Sequence, residues 1–504
     1  MFIRKNKNRS GSISIQLVEK KNRKNRIIKT VGVARTKREE KLLIMLATSE
    51  LERLRGMESL FMEHDDLVVD SFVENISNDD LRVVGTELIL GKIYQKFNFP
   101  DDGSCNYFRN LVLSRLVFPG SKLKTVEYFQ KHLNTEVSVY TIYRFLDKLN
   151  TGLKTEIEQQ TFDYTKGLLK GKIGVVFYDM TTLYFEASEE DDYRIAGFSK
   201  DGKFQHPQIM IGLLVSNHGY PLGYQIFEGN TSETKTLIPV LEAFQKKFNI
   251  QKPIVVADAA LLSQKNIEAL ESNKYQYILG GRLKNEAEQI KEKIIRLTVK
   301  ENKPKELQHK NGRLVISYSL KRANKDKRNR EKGLKRLEKK VKSGKLTKDH
   351  INNRGYNKYL KLSGKINVKI DYEKYHADSV FDGLKGYLTN TNLSKNEIIE
   401  NYSQLWQVEK AFRISKTDLR IRPIYHRLKE RIEAHICICF TAYAIFKELE
   451  RLLVINNIKI SAVKAIESIK EIRELKYWLP RSKVMKTKIL KPTELQIKLL
   501  NMKF

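Results

Sequence analysis

The sequence predicts an α/β protein: a mixed sheet with flanking helices, interrupted by a basic insertion and joined to a mainly helical N-terminal region. Three observations lead there. From about residue 172 the chain shows short apolar runs rich in β-branched and aromatic residues: IGVVFYD (173–179), IMIGLLVS (209–216), LGYQIFE (222–228), IVVADA (254–259) and YQYILGG (275–281). Helical patterns follow some of them, at 232–248 and 263–272. Strands that come first in series and then alternate with helices indicate a mixed sheet. Between about 285 and 375 the strand pattern is interrupted, and 321–345 within it holds 13 Lys/Arg against 3 Asp/Glu, a net +10.

Taken in order, residues 1–35 form an N-terminal hairpin. The stretch SISIQLVEKKNRKNRIIKTVGV (12–33) alternates apolar and polar residues around a basic turn near 21–25. Residues 36–170 read as a mainly helical DNA-binding region, with helical apolar spacing at 41–54, 80–94 and 106–116. Inside it lie a helix at 121–133, a turn at 134–138 and a helix at 139–149 that carries Tyr140, Tyr143 and Arg144. That arrangement suits a helix-turn-helix over 121–150, and a plain packing pair has the same local pattern. Residues 171–284 are the first part of the sheet core, and 285–380 are the basic insertion subdomain.

The +10 run is helix-permissive and flanked by strand-like LVISYSL (314–320) and INVKIDY (366–372). A solvated helical excursion fits it. Like charges this dense repel unless an anion screens them, which favours phosphate contacts from Lys321, Arg322, Arg328 and Arg330. The strand pattern returns at GLKGYLTN (383–390); a long helix at 394–416 and a further helix from about 428 to 453 complete the segment 381–456. The tail, 457–504, is basic and mostly helical or irregular.

Composition bounds the function. The chain has 504 residues, with Lys+Arg 93 against Asp+Glu 60, a formal net charge of +33. At 41% hydrophobic it can bury cores, which excludes disorder as a description of the whole, and Pro 10 with Gly 26 excludes a collagen-like chain. The excess charge points to a polyanion, since each Lys or Arg on a phosphate releases counterions. Cys105, Cys437 and Cys439 are too few for a disulfide framework, and the last two read as apolar filler. No apolar region follows the basic N-terminus, and the longest apolar stretch, 436–446, is about half a membrane span. The expectation is a soluble cytoplasmic protein acting on double-stranded DNA. No GxxxxGK[ST] sequence is present, which argues against an ATP-driven enzyme.

Three acids stand out. Asp179 ends the strand VVFYD, and Asp258 ends IVVAD. Acids at the carboxyl ends of strands stand at the rim of the sheet, where α/β proteins place ligands. Glu409 lies in the helix after them. Three carboxylates of this kind are hard oxygen ligands for two divalent ions, Mg2+ or Mn2+. Two ions about 3.5–4 Å apart stabilise the attacking and leaving oxygens of a phosphoryl displacement. Thr181 and Thr182 are placed to support Asp179. In one continuous helix Tyr402, Leu405, Glu409 and Lys416 share a side, with Trp406, Phe412 and Arg413 nearby. Lys416 and Arg413 then suit phosphate contacts, and Tyr402 and Trp406 suit stacking on a base. A strand-end Asp is also a common cap, and the acidic run 189–192 is a rival metal site that reads better as a solvated loop.

Around these acids the chain carries Asp179-Met-Thr-Thr, His206-Pro-Gln-Ile, Ile211-Gly-Leu-Leu, Gly219-Tyr-Pro-Leu and Glu228-Gly-Asn-Thr-Ser-Glu-Thr. Val255-Val-Ala-Asp258, Asp382-Gly, Thr389-Asn, Tyr402…Glu409…Lys416, Arg420-Ile-Arg-Pro423 and His426 follow. As a set these resemble the DDE transposases of bacterial insertion sequences, in particular the insertion-sequence-four family known by its Tyr-Arg-Glu-Lys signature (the IS-1634-like group). Leu405 stands where the signature has Arg. The resemblance implies an RNase H-like core, an insertion between Asp258 and Glu409, and Mg2+-dependent cut-and-paste transposition. It also implies binding of transposon ends and target DNA, and a homodimer in the DNA complex. From the residues themselves two other readings stay open: a nuclease or resolvase on the same sheet without strand transfer, and a non-catalytic DNA-binding protein.

Overall fold

The computed structural model describes residues 1–21, 24–55, 69–70, 72–74, 76–101, 106–133, 135–149, 151–170, 173–187, 189–199, 202–232, 235–248, 252–343, 346–347, 350–352, 355–363, 367–479 and 484–504. The tip of the expected N-terminal turn, Cys105 and the last two positions of the +10 run lie outside them. The chain divides into two compact units: Met1–Lys92 with Leu123–Ser138 and Leu452–Phe504, and Ile93–Lys122 with Val139–Arg451.

The first unit opens with a three-stranded antiparallel sheet of β1 (Phe2–Lys7), β2 (Ile13–Lys21) and β3 (Lys24–Ala34). Helix α1 (Lys37–Leu54) closes it over a core of Ile15, Leu17, Ala34, Leu43, Ala47 and Leu51. Thr36 starts that helix by accepting from Glu39 N at 3.2 Å. Strands β2 and β3 pair antiparallel; β1, a polar strand with only two apolar residues, gave no apolar run to find. The segment 80–94 is helical from Thr86 on, as expected, but departs from that reading at its start. Leu81–Val83 is a strand, β4, paired with β15 (Arg473–Leu479), which pairs in turn with β16 (Val484–Ile489). A partner that far along the chain leaves no local periodicity. Among the described residues the unit also holds most of α4 (Lys122–Tyr128), α15 (Ala462–Ile469) and α16 (Glu494–Leu500).

The second unit begins with α2 (Lys92–Lys96), α3 (Asn106–Val117), α5 (Val139–Lys148) and α6 (Thr151–Leu168). Its centre is an eight-stranded mixed sheet in the order β10-β11-β14-β9-β8-β5-β6-β7. The strands are β5 (Val175–Tyr184), β6 (Gln208–Ser216), β7 (Pro221–Glu228), β8 (Ile254–Ala257), β9 (Tyr277–Gly281), β10 (Lys305–His309), β11 (Gly312–Tyr318) and β14 (Leu384–Thr389). Only β5–β8 and β8–β9 are parallel pairs. Every residue of β6 is buried, which suits a continuous apolar run inside a sheet covered on both faces.

On one face Val176, Tyr178, Met180, Leu214 and Leu222 pack with Phe162 of α6, Leu241 and Phe244 of α7 (Leu237–Phe248) and Ile267 of α8 (Gln264–Ser272). The opposite face of β5 and β6 meets α13 (Trp406–Thr417). On that same face Tyr224 lies 4.9 Å from Phe440 of α14 (Lys429–Ile455).

The strand pattern does not stop at 285 as the sequence suggested. After α9 (Glu288–Arg296), β10 and β11 extend the same sheet through β14. The excursion proper is α10 (Leu320–Lys342), the pair β12 (Leu360–Ser363) and β13 (Asn367–Ile370), and α11 (Tyr372–Ser379). Leu337, Tyr359, Leu360 and Tyr375 form its own small core. The expected long helix at 394–416 is two helices, α12 (Lys395–Ser403) and α13, broken at Gln404 and Leu405. No Pro or Gly marks the break. Leu405, 6% exposed, turns inward there.

Candidate active site

The sheet register brings two of the acids together. Strands β5 and β8 run parallel with Tyr178 opposite Ala257, so Asp179 and Asp258, one step further on, emerge side by side. Asp258 follows the end of β8 as expected, but Asp179 lies inside β5, which continues to Tyr184 because it stays paired with β6. Neighbouring strands lie about 4.8 Å apart. Alternation along β5 puts Asp179 on the face of Thr181 and Leu183, which line a cavity with Phe412 and Lys416 of α13. Thr182 falls on the other face, 1% exposed, its hydroxyl without a hydrogen-bond partner among the described residues. Of the two threonines expected to support Asp179, only Thr181 shares its side.

Asp179 Oδ1 accepts from Met180 N at 2.7 Å, and Asp258 Oδ1 accepts from Ala260 N at 2.6 Å, capping the turn Ala259–Leu261. The cap does not compete with a ligand role, because it uses one oxygen and fixes the direction of the other. Glu409 is exposed in the first turn of α13.

Tyr402 reaches the same place from α12, which packs on β8, β9, β11 and β14. Its hydroxyl lies against Gly280 of β9; a Cβ there would stand 2.4 Å from Tyr402 Oη and 2.9 Å from Ala259 N. Burial raises the pKa of this hydroxyl, and the charges of Asp258 and Glu409 push it further the same way. Tyr402 therefore stays a neutral donor beside Asp258. Gly280→Ala is expected to displace it, costing about 1–3 kcal/mol of stability, measured by thermal unfolding.

Lys385 of β14, which sequence reasoning did not single out, lies with Nζ 4.4 Å from the Tyr402 ring centre and 5.5 Å from that of Tyr387. Burial lowers its pKa, as does Arg322, while Glu409 acts in the opposite direction. A lone Lys in a strand carries no sequence signal.

The other candidates scatter. Trp406 is 47% exposed, with Lys410 Nζ 5.8 Å from its ring centre; Arg413 is exposed, and Lys416 is half-buried. Lys410 is committed to Glu450 at 2.7 and 2.9 Å. Leu405 is buried and faces the protein. On α5, Tyr140 is 74% exposed and Arg144 is exposed, while Tyr143 is half-buried between His426 at 6.1 Å and Arg431 at 4.8 Å. Burial, with Lys122, Arg431 and Arg115 close by, pushes His426 down to about 3, so it is neutral.

On α10, Lys321, Arg322 and Arg328 are exposed. Arg330 departs from them: it is buried, bonded to Asp382 and 4.9 Å from the Tyr375 ring centre, so its charge serves the excursion's interior. In the acidic run at 189–192, Asp191 accepts from Tyr193 N, Arg194 N and Arg194 Nε at 2.6–3.0 Å, and Glu190 from Ala196 N at 3.0 Å. Those acids hold their own loop. Among the described residues no three His, Cys, Asp or Glu are grouped so as to hold a metal ion as they stand. No helix among them is long and apolar enough to cross a membrane.

No curated protein matches the chain. Among solved structures, the piggyBac transposase synaptic complex with hairpin DNA is similar at 9% identity over 78% of this chain and 80% of that one, with a TM-score of 0.39. The Mos1 transposase paired-end complex with left transposon end is similar at 13% identity over 47% and 76%, with a TM-score of 0.16. The Mos1 mariner paired end complex with Mn is similar at 12% over 48% and 78%, with a TM-score of 0.15. Residues 170–445 match the family model described as the transposase DDE domain. The match takes in β5 with Asp179, β8 with Asp258 and α13 with Glu409, and it covers more than half of the chain. This chain belongs to the transposase DDE domain family and is a DDE transposase, an enzyme acting on DNA.

Proposed function

We propose that Asp179, Asp258 and Glu409 are the three carboxylates of the family's DDE motif in this chain, and that the protein excises and inserts its own element by cut-and-paste transposition. The observation that carries the assignment is the register of β5 against β8, which sets Asp179, in the middle of β5, next to Asp258, just past the end of β8. Tyr402 supports the third member, since both Asp258 and Glu409 act on its hydroxyl.

DDE transposases use divalent ions, and the donor set here fits one: carboxylate oxygens, with no thiol or imidazole among them. Asp179, Asp258 and Glu409 would hold two ions, Mg2+ or Mn2+, which when bound activate the attacking oxygen and steady the leaving 3′-oxygen. The chain's own residues do the rest. Tyr402 fixes the neighbourhood of Asp258 from below. Lys321, Arg322, Arg328, Arg413 and Lys416 hold phosphates, and Trp406, with its ring half in solvent, is the residue placed to stack on a base.

We read β7-β6-β5-β8-β9 as the RNase H-like part of the sheet, three antiparallel strands in series with two parallel ones beyond the first. The same reading makes 1–35 an N-terminal hairpin and 36–170 the DNA-binding region, with the helix-turn-helix over 121–150. It makes 171–284 and 381–456 the core, which β10 and β11 extend, 320–380 the insertion and 457–504 a basic tail. It places the protein in the IS-1634-like group of the bacterial insertion-sequence-four family, working as a homodimer on two DNA ends.

A pre-cut duplex of the element's end with a free 3′-hydroxyl, incubated with plasmid and Mg2+, tests the proposal. Joining of the 3′ end to the plasmid, abolished by EDTA and restored by Mn2+, is expected. Hydrolysis of the duplex without joining would favour a nuclease.

A further inference from the structure

Beside the carboxylates, β14, the loop after β9 and the start of α10 enclose a cleft of about 590 Å3. Its walls bring together Arg282 and Lys284 after β9, Arg322 on α10 and Lys385 on β14. The acids of the lining are already engaged. Asp382 holds Arg330, and Asp326 lies 3.5 Å from Arg322 and accepts from Gly383 N at 3.2 Å. Lys284 is 3.5 Å from Asp378 outside the lining. Among the described residues neither Arg282 nor Lys385 has a carboxylate within ion-pair distance.

Lys385 is the informative one. It is half-buried, and its ammonium rests on Tyr402 and Tyr387, whose rings meet edge to face at 5.1 Å. A partly desolvated ammonium without a counter-ion, close to the like charge of Arg322, is unfavourable by itself. An anion entering the cleft would relieve it. Lys385 lines the cleft above this aromatic floor, and Tyr402 ties the floor to the turn after Asp258.

We propose that this cleft holds the sugar–phosphate backbone of the DNA strand next to the cleaved linkage, with Lys385 on a non-bridging phosphate oxygen and Arg282 and Arg322 on the phosphates that follow. The inference rests on Asp179, Asp258 and Glu409 being the cleavage centre. Lys385 is then a positioning residue: through Tyr402 it sets the strand's distance from Asp258. The contact reads charge and not base identity.

The test uses duplexes of the element's end in which one phosphate at a time near the cut is an uncharged methylphosphonate, cleaved by the full-length protein. One position is expected where the neutral linkage slows the wild type about tenfold, and where Lys385→Met adds no further loss. Lys385→Arg restores most of the rate on the all-phosphate duplex. Arg282→Gln, on an exposed loop, gives the same pattern at a neighbouring phosphate and carries the test alone if Lys385→Met does not fold. Equal slowing of every duplex by Lys385→Met, or no position-specific loss with Arg282→Gln, overturns the proposal. Cleavage that survives Asp258→Asn would instead overturn the carboxylate assignment and leave the phosphate map standing.

Discussion

Asp258→Asn is expected to lower strand cleavage by about three orders of magnitude or more, about 4 kcal/mol of transition-state stabilisation, while DNA binding and thermal unfolding stay close to those of the parent. The substitution is nearly isosteric. An Asn oxygen still accepts from Ala260 N, so the turn Ala259–Leu261 keeps its cap and β9 keeps its neighbour. What disappears is the negative charge that would hold a cation next to Asp179. Asp258→Ala removes the cap as well and is expected to cost about 1 kcal/mol of stability on top of the same loss of activity. Gel-shift binding, cleavage rate in Mg2+ and an unfolding curve on both variants separate the two effects. Metal-dependent cleavage retained by Asp258→Asn would remove this residue from the proposed centre.

The largest expected effect on stability lies away from the acids, at Glu448. It is 0% exposed on α14, and four side chains converge on it. Tyr220 donates at 2.6 Å, Tyr164 at 2.7 Å, Arg451 at 2.6 and 2.8 Å, and Lys96 at 3.3 Å. These join α2, α6, β7's approach and α14, so a single carboxylate ties four segments of the unit. Glu448→Ala leaves Arg451 and Lys96 without their anion, and the buried Tyr220 and half-buried Tyr164 hydroxyls without their acceptor. It is expected to destabilise the protein by about 3–5 kcal/mol, read as a shift in denaturant midpoint.

The same cluster gives a pH signature. Burial pushes the Glu448 carboxyl up, but its hydrogen bonds to Arg451, Tyr220 and Tyr164 outweigh burial and hold it below the usual value. A group whose folded pKa is depressed stabilises above its unfolded pKa and loses that contribution as pH falls through the folded one. The acid limb of the stability curve is therefore expected to flatten in Glu448→Ala.

How much of this was legible beforehand depends on the range of the signal. Asp179 and Asp258 were legible because each ends an apolar β-branched run, a pattern written within seven residues. Their adjacency was not, since it depends on the parallel pairing of β5 with β8 across the intervening β6, β7 and α7. The helix carrying Glu409 was legible, but its break was not: Gln404 and Leu405 have ordinary helical propensity, and the inward packing of Leu405 decides the matter. Arg330 looked like its neighbours in a basic run until the fold placed Asp382 beside it. Lys385 and Gly280 gained their significance only when Tyr402 arrived between them from another helix.

Strands β11 and β14 pair with Tyr318 opposite Leu384, and Ser319 N donates to Gly383 O at 3.1 Å. The chain thus leaves the sheet and re-enters it at two touching points, as at the stem of a hairpin. Everything from 320 to 382 hangs from that stem. Because closing a longer loop on a fixed stem costs little more than closing a short one, the length and content of the excursion are free to change without disturbing the carboxylates. Arg322 sits at the start of this exchangeable part, while Lys385 sits in the permanent sheet and Arg282 directly follows its strand β9. One wall of the cationic cleft can therefore diverge between relatives with different DNA ends, while the other stays fixed to the chemistry.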